Sequence, residues 1–476
     1  MSVETLKFDV ATIGGGPGAT PGAEVLARHN KHVAIIEQGD GLGGTCLFEG
    51  CIPSKIFLET AHRIRLMQAG SQFGIVNPTY QGVDLPILRD RKRQILDIRV
   101  HGAQTACDRL GITVIKGQAD FVDPHHLVVR TANEPDLLVE AEYILAAPGS
   151  SSRPLAIPGA DSVGVWSSAE ALQLSDIPES LCIIGGGYIG VELATLYHAL
   201  GSRVHILEMA PRLLLTEDPI VAQHLMSAWT QAASPVVVET GVNISHIDEI
   251  NGQWQVHYTG SQHQEVLLEV DRVLVAVGRV PNTQGLSWAK AGITLGSRGE
   301  VPVNEYYQTI VPHVYAPGDA NGQMMLAHAA TRQSQIAAQH ILGVQTFATT
   351  MTVPHVIFSH PEIAAVGADS RALAEHPNWK LTTWPYRQDA RALIVGDASG
   401  FAQIIWDEDT HQIKGLQIIG DGAGELVDEL TDVIAHGGTL ETVVETIHPH
   451  PTMNEVVSEL VAAAWEEAQN ATGTPH

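Results

Sequence analysis

The stretch Phe8-Asp9-Val10-Ala11-Thr12-Ile13-Gly14-Gly15-Gly16-Pro17-Gly18-Ala19 decides how the first part of this chain folds. An apolar run with strand character, Phe8 to Ile13, stops at a glycine turn. A helical pattern follows to about Asn30, then a second apolar run from His32 to Glu37. This is a β-α-β unit with the G-x-G-x-x-A pattern at Gly14, Gly16 and Ala19. The glycines let the backbone approach a pyrophosphate at the helix N-terminus, where unpaired N–H groups point outward. Glu37 ends the second strand, placed to accept a hydrogen bond from a ribose hydroxyl.

The same design returns further on. Leu181 to Ile184 reads as a strand, and Gly185-Gly186-Gly187-Tyr188-Ile189-Gly190 as its turn. A helix runs to about Leu200 and a strand from Arg203 to Glu208. From first glycine to acid the interval is 23 residues both times: 37 minus 14, and 208 minus 185. One fingerprint is weak, but two in strand-turn-helix-strand context predict an α/β protein with two Rossmann-like dinucleotide-binding domains.

Between the fingerprints lies Gly43-Gly44-Thr45-Cys46-Leu47-Phe48-Glu49-Gly50-Cys51-Ile52-Pro53-Ser54-Lys55. Cys46 and Cys51 can close a disulfide only where the helix start is distorted, because an ideal helix turns the second side chain away. Such a bond at a helix N-terminus is a redox tool, since the dipole stabilises the thiolate released on reduction. Two free core cysteines, or half of a zinc site, are the bland readings. Of the other cysteines, Cys107 sits in a helical pattern and Cys182 in an apolar run; both read as buried small hydrophobes.

A chain of 476 residues is too long for one core and divides into about three or four units. Acidic residues outnumber basic ones, 53 to 27, for a formal charge of -26. That surface repels nucleic acid and anionic membrane, so neither is expected as a partner. Four cysteines make no secreted framework. Lys7-Phe8-Asp9 runs straight into a strand, and no apolar run reaches spanning length, so no signal peptide, no membrane insertion and a cytoplasmic place are expected. There, reductant would recycle the cysteine pair.

The first unit is expected over residues 1–151 and the second over 152–277. Residues 278–349 form a third, with Ala316-Pro317-Gly318-Asp319-Ala320 as a strand-end turn and an apolar helix from Leu326 to Ile341. From about Thr350 the pattern changes to strands followed by helices, an α+β unit over 350–476, with a frayed tail from about Asn470.

These residues together resemble the class I pyridine nucleotide-disulfide oxidoreductases over essentially the whole chain, most closely those acting on dihydrolipoamide. The carriers are Gly43 to Lys55, both glycine fingerprints, Val277-Gly278-Arg279-Val280-Pro281-Asn282, Ala316 to Ala320, and His448-Pro449-His450-Pro451-Thr452-Met453-Asn454-Glu455. The resemblance implies a glutathione reductase-like fold: an FAD-binding domain interrupted by an NAD-binding domain, a central domain, and a C-terminal dimerisation domain. It implies a homodimer with a shared active site, served by a lipoylated carrier protein or a 2-oxoacid dehydrogenase complex. By resemblance, Gly14, Gly16, Ala19 and Glu37 hold FAD, with Thr45, Gly149, Asp319, Leu326, Ala327 and His328 on the flavin side. Lys55 lies by the flavin, paired with Glu192. Gly185, Gly187, Gly190, Glu208 and Gly278 hold NAD. Cys46 is the sulfur attacked by substrate, Cys51 the sulfur facing flavin. His450, oriented by Glu455 and supplied by the other subunit, is the base; His448 is given no role.

Glu208 favours NAD, since a carboxylate there repels a 2′-phosphate; Arg212, after Ala210-Pro211, points elsewhere. Tyr188 either covers the nicotinamide pocket or packs on the sheet. Thr20-Pro21-Gly22, Phe48-Glu49 and Ala147-Pro148-Gly149-Ser150 depart from the family pattern without removing a reacting group. Pro21 is tolerable in a first helical turn. Another disulfide reductase of the family is the nearest alternative, and a non-enzymatic flavoprotein subunit the alternative of another class. A mercuric reductase would carry a C-terminal cysteine pair, and no cysteine follows Cys182. No metal site is read in the sequence.

Overall fold

Valine and isoleucine buried on both faces, in runs closed by glycine, build parallel sheet, and Val33–Glu37 is such a run. The structure is a computed structural model, and it describes residues 5–131, 135–231, 236–344 and 351–472. The end of the expected tail, 473–476, and the last expected boundary, at 349/350, lie outside the described residues.

The first sheet orders Thr113–Lys116, Val33–Glu37, Thr5–Ile13 and Leu137–Ala146 in parallel. His126–Arg130 and Gln118–Asp123 extend it antiparallel. A distant pair, Val314–Tyr315, then adds beside Leu137–Ala146, with Val314 opposite Ile144. The chain thus leaves this sheet, builds a second unit, and returns. The connections out and back zip together: Ser150–Ser152 pairs antiparallel with Arg279–Pro281.

The first-turn helix Thr20–Arg28 carries Pro21 in its opening turn, where no intrahelical N–H bond is lost. Gly22 explains part of that departure. A Cβ there would lie 2.6 Å from Ser334 Oγ, and the Gly22 amide donates to that oxygen at 2.9 Å. The helix Ala327–Ile341 can therefore pack close against it.

The second unit has four parallel strands in the order Val237–Thr240, Arg203–Glu208, Ser180–Ile184, Arg272–Val275. Three antiparallel strands, Asn243–Ile250, Gln253–Thr259 and Glu265–Val270, cover it and bury Trp254, Val256 and Tyr258. Cys107 and Cys182 are fully buried, as expected. Burial raises the Cys107 thiol to about 11.

The C-terminal unit is a five-stranded antiparallel sheet backed by helices, the α+β arrangement read from sequence. Its last helix, Glu455–Thr472, buries Val456, Val457, Leu460, Val461 and Ala464 completely. Each large side chain so buried contributes about 2 kcal/mol. That packing fixes the helix start, where Glu455 stands.

Candidate active site

Cys46 lies in a short helix of its own, Gly44–Phe48. The helix stops because Gly50 adopts φ -136° and ψ -108°, and Cys51 then opens a second helix, Cys51–Ala69. A Cβ on Gly50 would come 3.2 Å from Thr45 O. In one continuous helix, thiols five residues apart would diverge by about 140°. The break is the distortion that the spacing demands. Between the sulfurs, Phe48 is half-buried and Glu49 faces solvent.

Cys46 is half-buried and Cys51 exposed, and their electrostatics are those of the dithiol form. The neighbouring Cys51 sulfur, with burial, holds the Cys46 pKa far above the thiol range. The neighbouring Cys46, helped by Lys55 against an opposing effect of burial, brings Cys51 down to about 7. The pair thus favours the proton on Cys46 and negative charge on Cys51. We expect the ultraviolet thiolate absorbance of the reduced protein to rise with a midpoint near pH 7. Cys46→Ala removes that neighbour and should move the midpoint upward; an unmoved midpoint would break the assignment.

Lys55 follows Cys51 by one helical turn. Its Nζ reaches both oxygens of Glu192, at 2.8 and 2.7 Å, from the helix Tyr188–Leu200 of the second unit. Glu192 is 7% exposed. The Phe358 amide donates to Glu192 Oε1 at 3.1 Å, and the Phe358 ring lies under the ammonium, 4.5 Å from it. Three units of the chain meet at this ion pair.

The two glycine turns match in detail. A Cβ on Gly14 would strike the Ala147 carbonyl at 2.5 Å, and one on Gly185 the Ala276 carbonyl even more closely. Both residues have positive φ. Glu37 accepts from the Gly15 and Gly39 amides at 2.6 and 2.5 Å. Glu208 accepts from the Gly186 and Ala210 amides at 2.5 and 2.6 Å. Each acid therefore ties its own turn down, leaving one lone-pair direction on each oxygen. At Gly187 an added Cβ would meet nothing within 4 Å.

His450 Nδ1 lies 2.8 Å from Glu455 Oε1, and the Thr452 amide donates to Glu455 Oε2 at 2.9 Å. The His450 hydrogen bond and that amide hold the Glu455 carboxyl below its ordinary range. His450 is 72% exposed at its side chain. Among the described residues no hydrogen bond joins it to the cysteine pair. His448 is instead packed, with Nε2 2.8 Å from Glu429.

Residues 8–334 match the pyridine nucleotide-disulphide oxidoreductase pattern, and residues 353–461 match the dimerisation domain of that family. The chain belongs to the pyridine nucleotide-disulphide oxidoreductases. It is 37% identical over 458 residues to a dihydrolipoyl dehydrogenase of Chlamydia pneumoniae, covering 96% of each chain. To that of Bacillus subtilis it is 35% identical, covering 94% of this chain and 97% of the relative. Among solved structures, the flavoprotein disulfide reductase RclA of Escherichia coli, as its Cu(II) complex, aligns with TM-score 0.86 and 27% identity, over 96% of this chain and 99% of that one. LpdA of Mycobacterium tuberculosis shares the fold, with TM-score 0.88 and 24% identity, over 97% of this chain and all of that one. Family membership makes the chain an oxidoreductase of the flavin and pyridine nucleotide class.

The residues present fit those two groups in this oxidoreductase. Asp319 accepts from Ser150 Oγ, and Arg279 Nε donates to the same hydroxyl at 2.7 Å. Burial raises the Asp319 carboxyl despite both partners, as expected of an acid that needs a further donor. Gly149 and Gly278 stand one residue before Ser150 and Arg279, both with positive φ. Gly16 and Gly44 touch backbone to backbone: a Cβ on Gly44 would lie 2.9 Å from the Gly16 Cα. That contact joins the first turn to the segment carrying Thr45 and Cys46. Leu326 caps the helix that begins at Ala327, and His328 Nε2 lies 2.7 Å from the Pro354 carbonyl. Sequence reading missed Ser150, Arg279 and Phe358. Arg279 lay within a quoted motif; nothing local marks Phe358. Tyr188 begins its helix 41% exposed, so it does not pack fully on the sheet.

Proposed function

We propose that this oxidoreductase is a dihydrolipoyl dehydrogenase, oxidising protein-bound dihydrolipoamide through Cys46, Cys51 and FAD, with NAD+ as acceptor. The observation that carries the reading is geometric: the break at Gly50 sets Cys46 in one short helix and Cys51 at the start of the next, with Lys55 one turn on and 2.7 Å from Glu192. The names of the curated relatives support the same substrate class.

Bound FAD supplies the two-electron carrier and NAD+ its hydride acceptor. Gly14, Gly16, Ala19 and Glu37 would hold the FAD pyrophosphate and ribose; Thr45, Lys55, Gly149, Asp319 and the backbone of Leu326, Ala327 and His328 would line its flavin side. Gly185, Gly187, Gly190, Glu208 and Gly278 would hold NAD. Arg212 donates to the carbonyls of Leu213, Leu214, Leu215 and Glu217. Its guanidinium is committed, so Glu208 governs the ribose and favours NAD over NADP.

The residues act in order. His450 takes a proton from one substrate thiol, and Glu455 stabilises the imidazolium. The substrate thiolate attacks Cys46 of the oxidised pair, the S–S bond breaks, and Cys51 leaves as thiolate. A leaving thiol of low pKa departs faster, so attack at Cys46 is favoured over attack at Cys51. The second substrate thiol then attacks the mixed disulfide at the substrate's own sulfur. Cys46 departs and takes that thiol's proton, and lipoamide closes. One proton rests on His450, one on Cys46, and two electrons on the pair.

The exposure of His450 supports a site completed by a second subunit, with a cleft for a lipoyl arm. The reading includes units at 1–151, 152–277, 278–349 and 350–476, a lipoylated carrier or 2-oxoacid dehydrogenase complex as partner, and a cytoplasmic place. No described helix is long and apolar enough to cross a membrane. The test is NADH formation from dihydrolipoamide and NAD+ by the pure flavin-bound protein. We expect turnover with NAD+ and little with NADP+; no turnover with flavin bound would sink the reading. Comparing lipoylated carriers would then identify the partner.

A further inference from the structure

The three-stranded sheet of the second unit carries a cluster that this chemistry does not use. Asn243–Ile250 and Gln253–Thr259 turn back on each other at Asn251-Gly252, both residues with positive φ. The register sets His246 opposite His257. Asp248, two residues on, shares the His246 face. The two imidazoles stack, centroids 3.9 Å apart and 12° from parallel. Both Nε2 atoms face one oxygen, Asp248 Oδ2, at 3.3 and 3.5 Å.

A fourth residue defines the proton on His246. Ser245 Oγ donates its single proton to the His257 carbonyl at 3.0 Å and lies 3.0 Å from His246 Nδ1. It can then only accept from Nδ1, so Nδ1 carries hydrogen. The His246 Nε2 lone pair is left facing a carboxylate, a repulsion that a proton on that nitrogen or a metal cation between the groups relieves. Protonating both rings would stack two positive charges against one negative. A divalent cation relieves the repulsion without that stacked charge, the rings turning out of their stack so that both Nε2 lone pairs converge on it. For donors about 2.0–2.1 Å from zinc, tetrahedral edges come to about 3.4 Å, and the observed edges are 3.3 and 3.5 Å. All three ligand atoms lie within 4.8 Å of one another.

We propose that His246, His257 and Asp248 bind a borderline divalent cation, zinc above all, with Ser245 orienting the first ligand and solvent completing the shell. The Ile247 amide, on the same strand, donates to the Pro158 carbonyl at 3.0 Å. The cation would tie together the two strands of a hairpin that is already bonded to the segment leading into the second unit. Sequence reading assigned no metal, because His257 joins the pair only through the hairpin register.

The test uses the flavin-bound protein with Cys46 and Cys51 oxidised, so that thiols do not compete. Calorimetric titration with Zn2+ should give one equivalent per chain and a higher unfolding temperature. His257→Gln and Asp248→Asn should each weaken Zn2+ at least about tenfold, and Ser245→Ala about tenfold, with NADH formation unchanged. Cu2+ in the wild type should show electron spin resonance coupling to imidazole nitrogen, a readout that needs no variant. No binding, equal Zn2+ affinity in wild type and folded variants, or a Cu2+ signal without nitrogen coupling would overturn the proposal.

Discussion

His450→Gln is expected to lower dihydrolipoamide oxidation by about 10²–10⁴-fold, the range for loss of a positioned general base. Glutamine keeps a polar side chain of similar reach but cannot take up the substrate proton. Electron flow from NADH to an artificial acceptor through bound flavin bypasses that proton and should stay near wild type. A loss of both activities would mean a structural role. The placement of His450 gives a sharper form of the same experiment. It is 72% exposed and has no hydrogen bond to the cysteine pair of its own chain among the described residues. Mixing equal amounts of Cys46→Ser and His450→Gln subunits, with exchange, creates hybrids that hold one intact cysteine pair facing one intact histidine. Random pairing should restore about a quarter of wild-type activity in a symmetric dimer. If the histidine served its own chain, mixing would restore nothing.

Lys55→Met should destabilise the protein by about 3 kcal/mol, the lower end for breaking a buried ion pair, since Lys55 keeps partial access to solvent. The cost arises at Glu192, 7% exposed, whose carboxylate among the described residues keeps the Phe358 amide at 3.1 Å as its remaining donor. Adding Glu192→Gln should recover much of the loss, because the stranded charge is gone. Denaturant unfolding of the two single variants and the double variant checks this. Equal and additive losses would show that the pair behaves as an ordinary surface contact. The same change withdraws the ammonium that helps lower Cys51, so the thiolate midpoint of the reduced protein should also rise above about 7.

How much could be read without coordinates varies with the distance over which each feature is decided. The glycine turns are local: Gly14 and Gly185 need positive φ, and each sits against a carbonyl that admits no side chain. Strand Arg203–Glu208 falls where its pattern predicts. The cysteine spacing implied a distorted helix, and the break at Gly50 supplies it. Glu37 and Glu208 were legible as strand-end acids, but their bonds to the turn amides were not, since they span 22 residues of chain. Phe358 under Lys55 left no local trace at all.

Two strand-glycine-helix fingerprints, a cysteine pair between them and a histidine five residues before an acid near the end were legible from the residues alone. Those features follow from φ, from helix pitch and from short spacings, which act between neighbours. Only the tertiary structure decided that Val314–Tyr315 returns to the first sheet, that Lys55 meets Glu192 across 137 residues, and that Ser150 and Arg279 close on Asp319. It also brought His246, Asp248 and His257 together. Each of these is a contact between segments whose own preferences are silent about one another. Burial and strand register select such partners, and neither exists until the chain has folded.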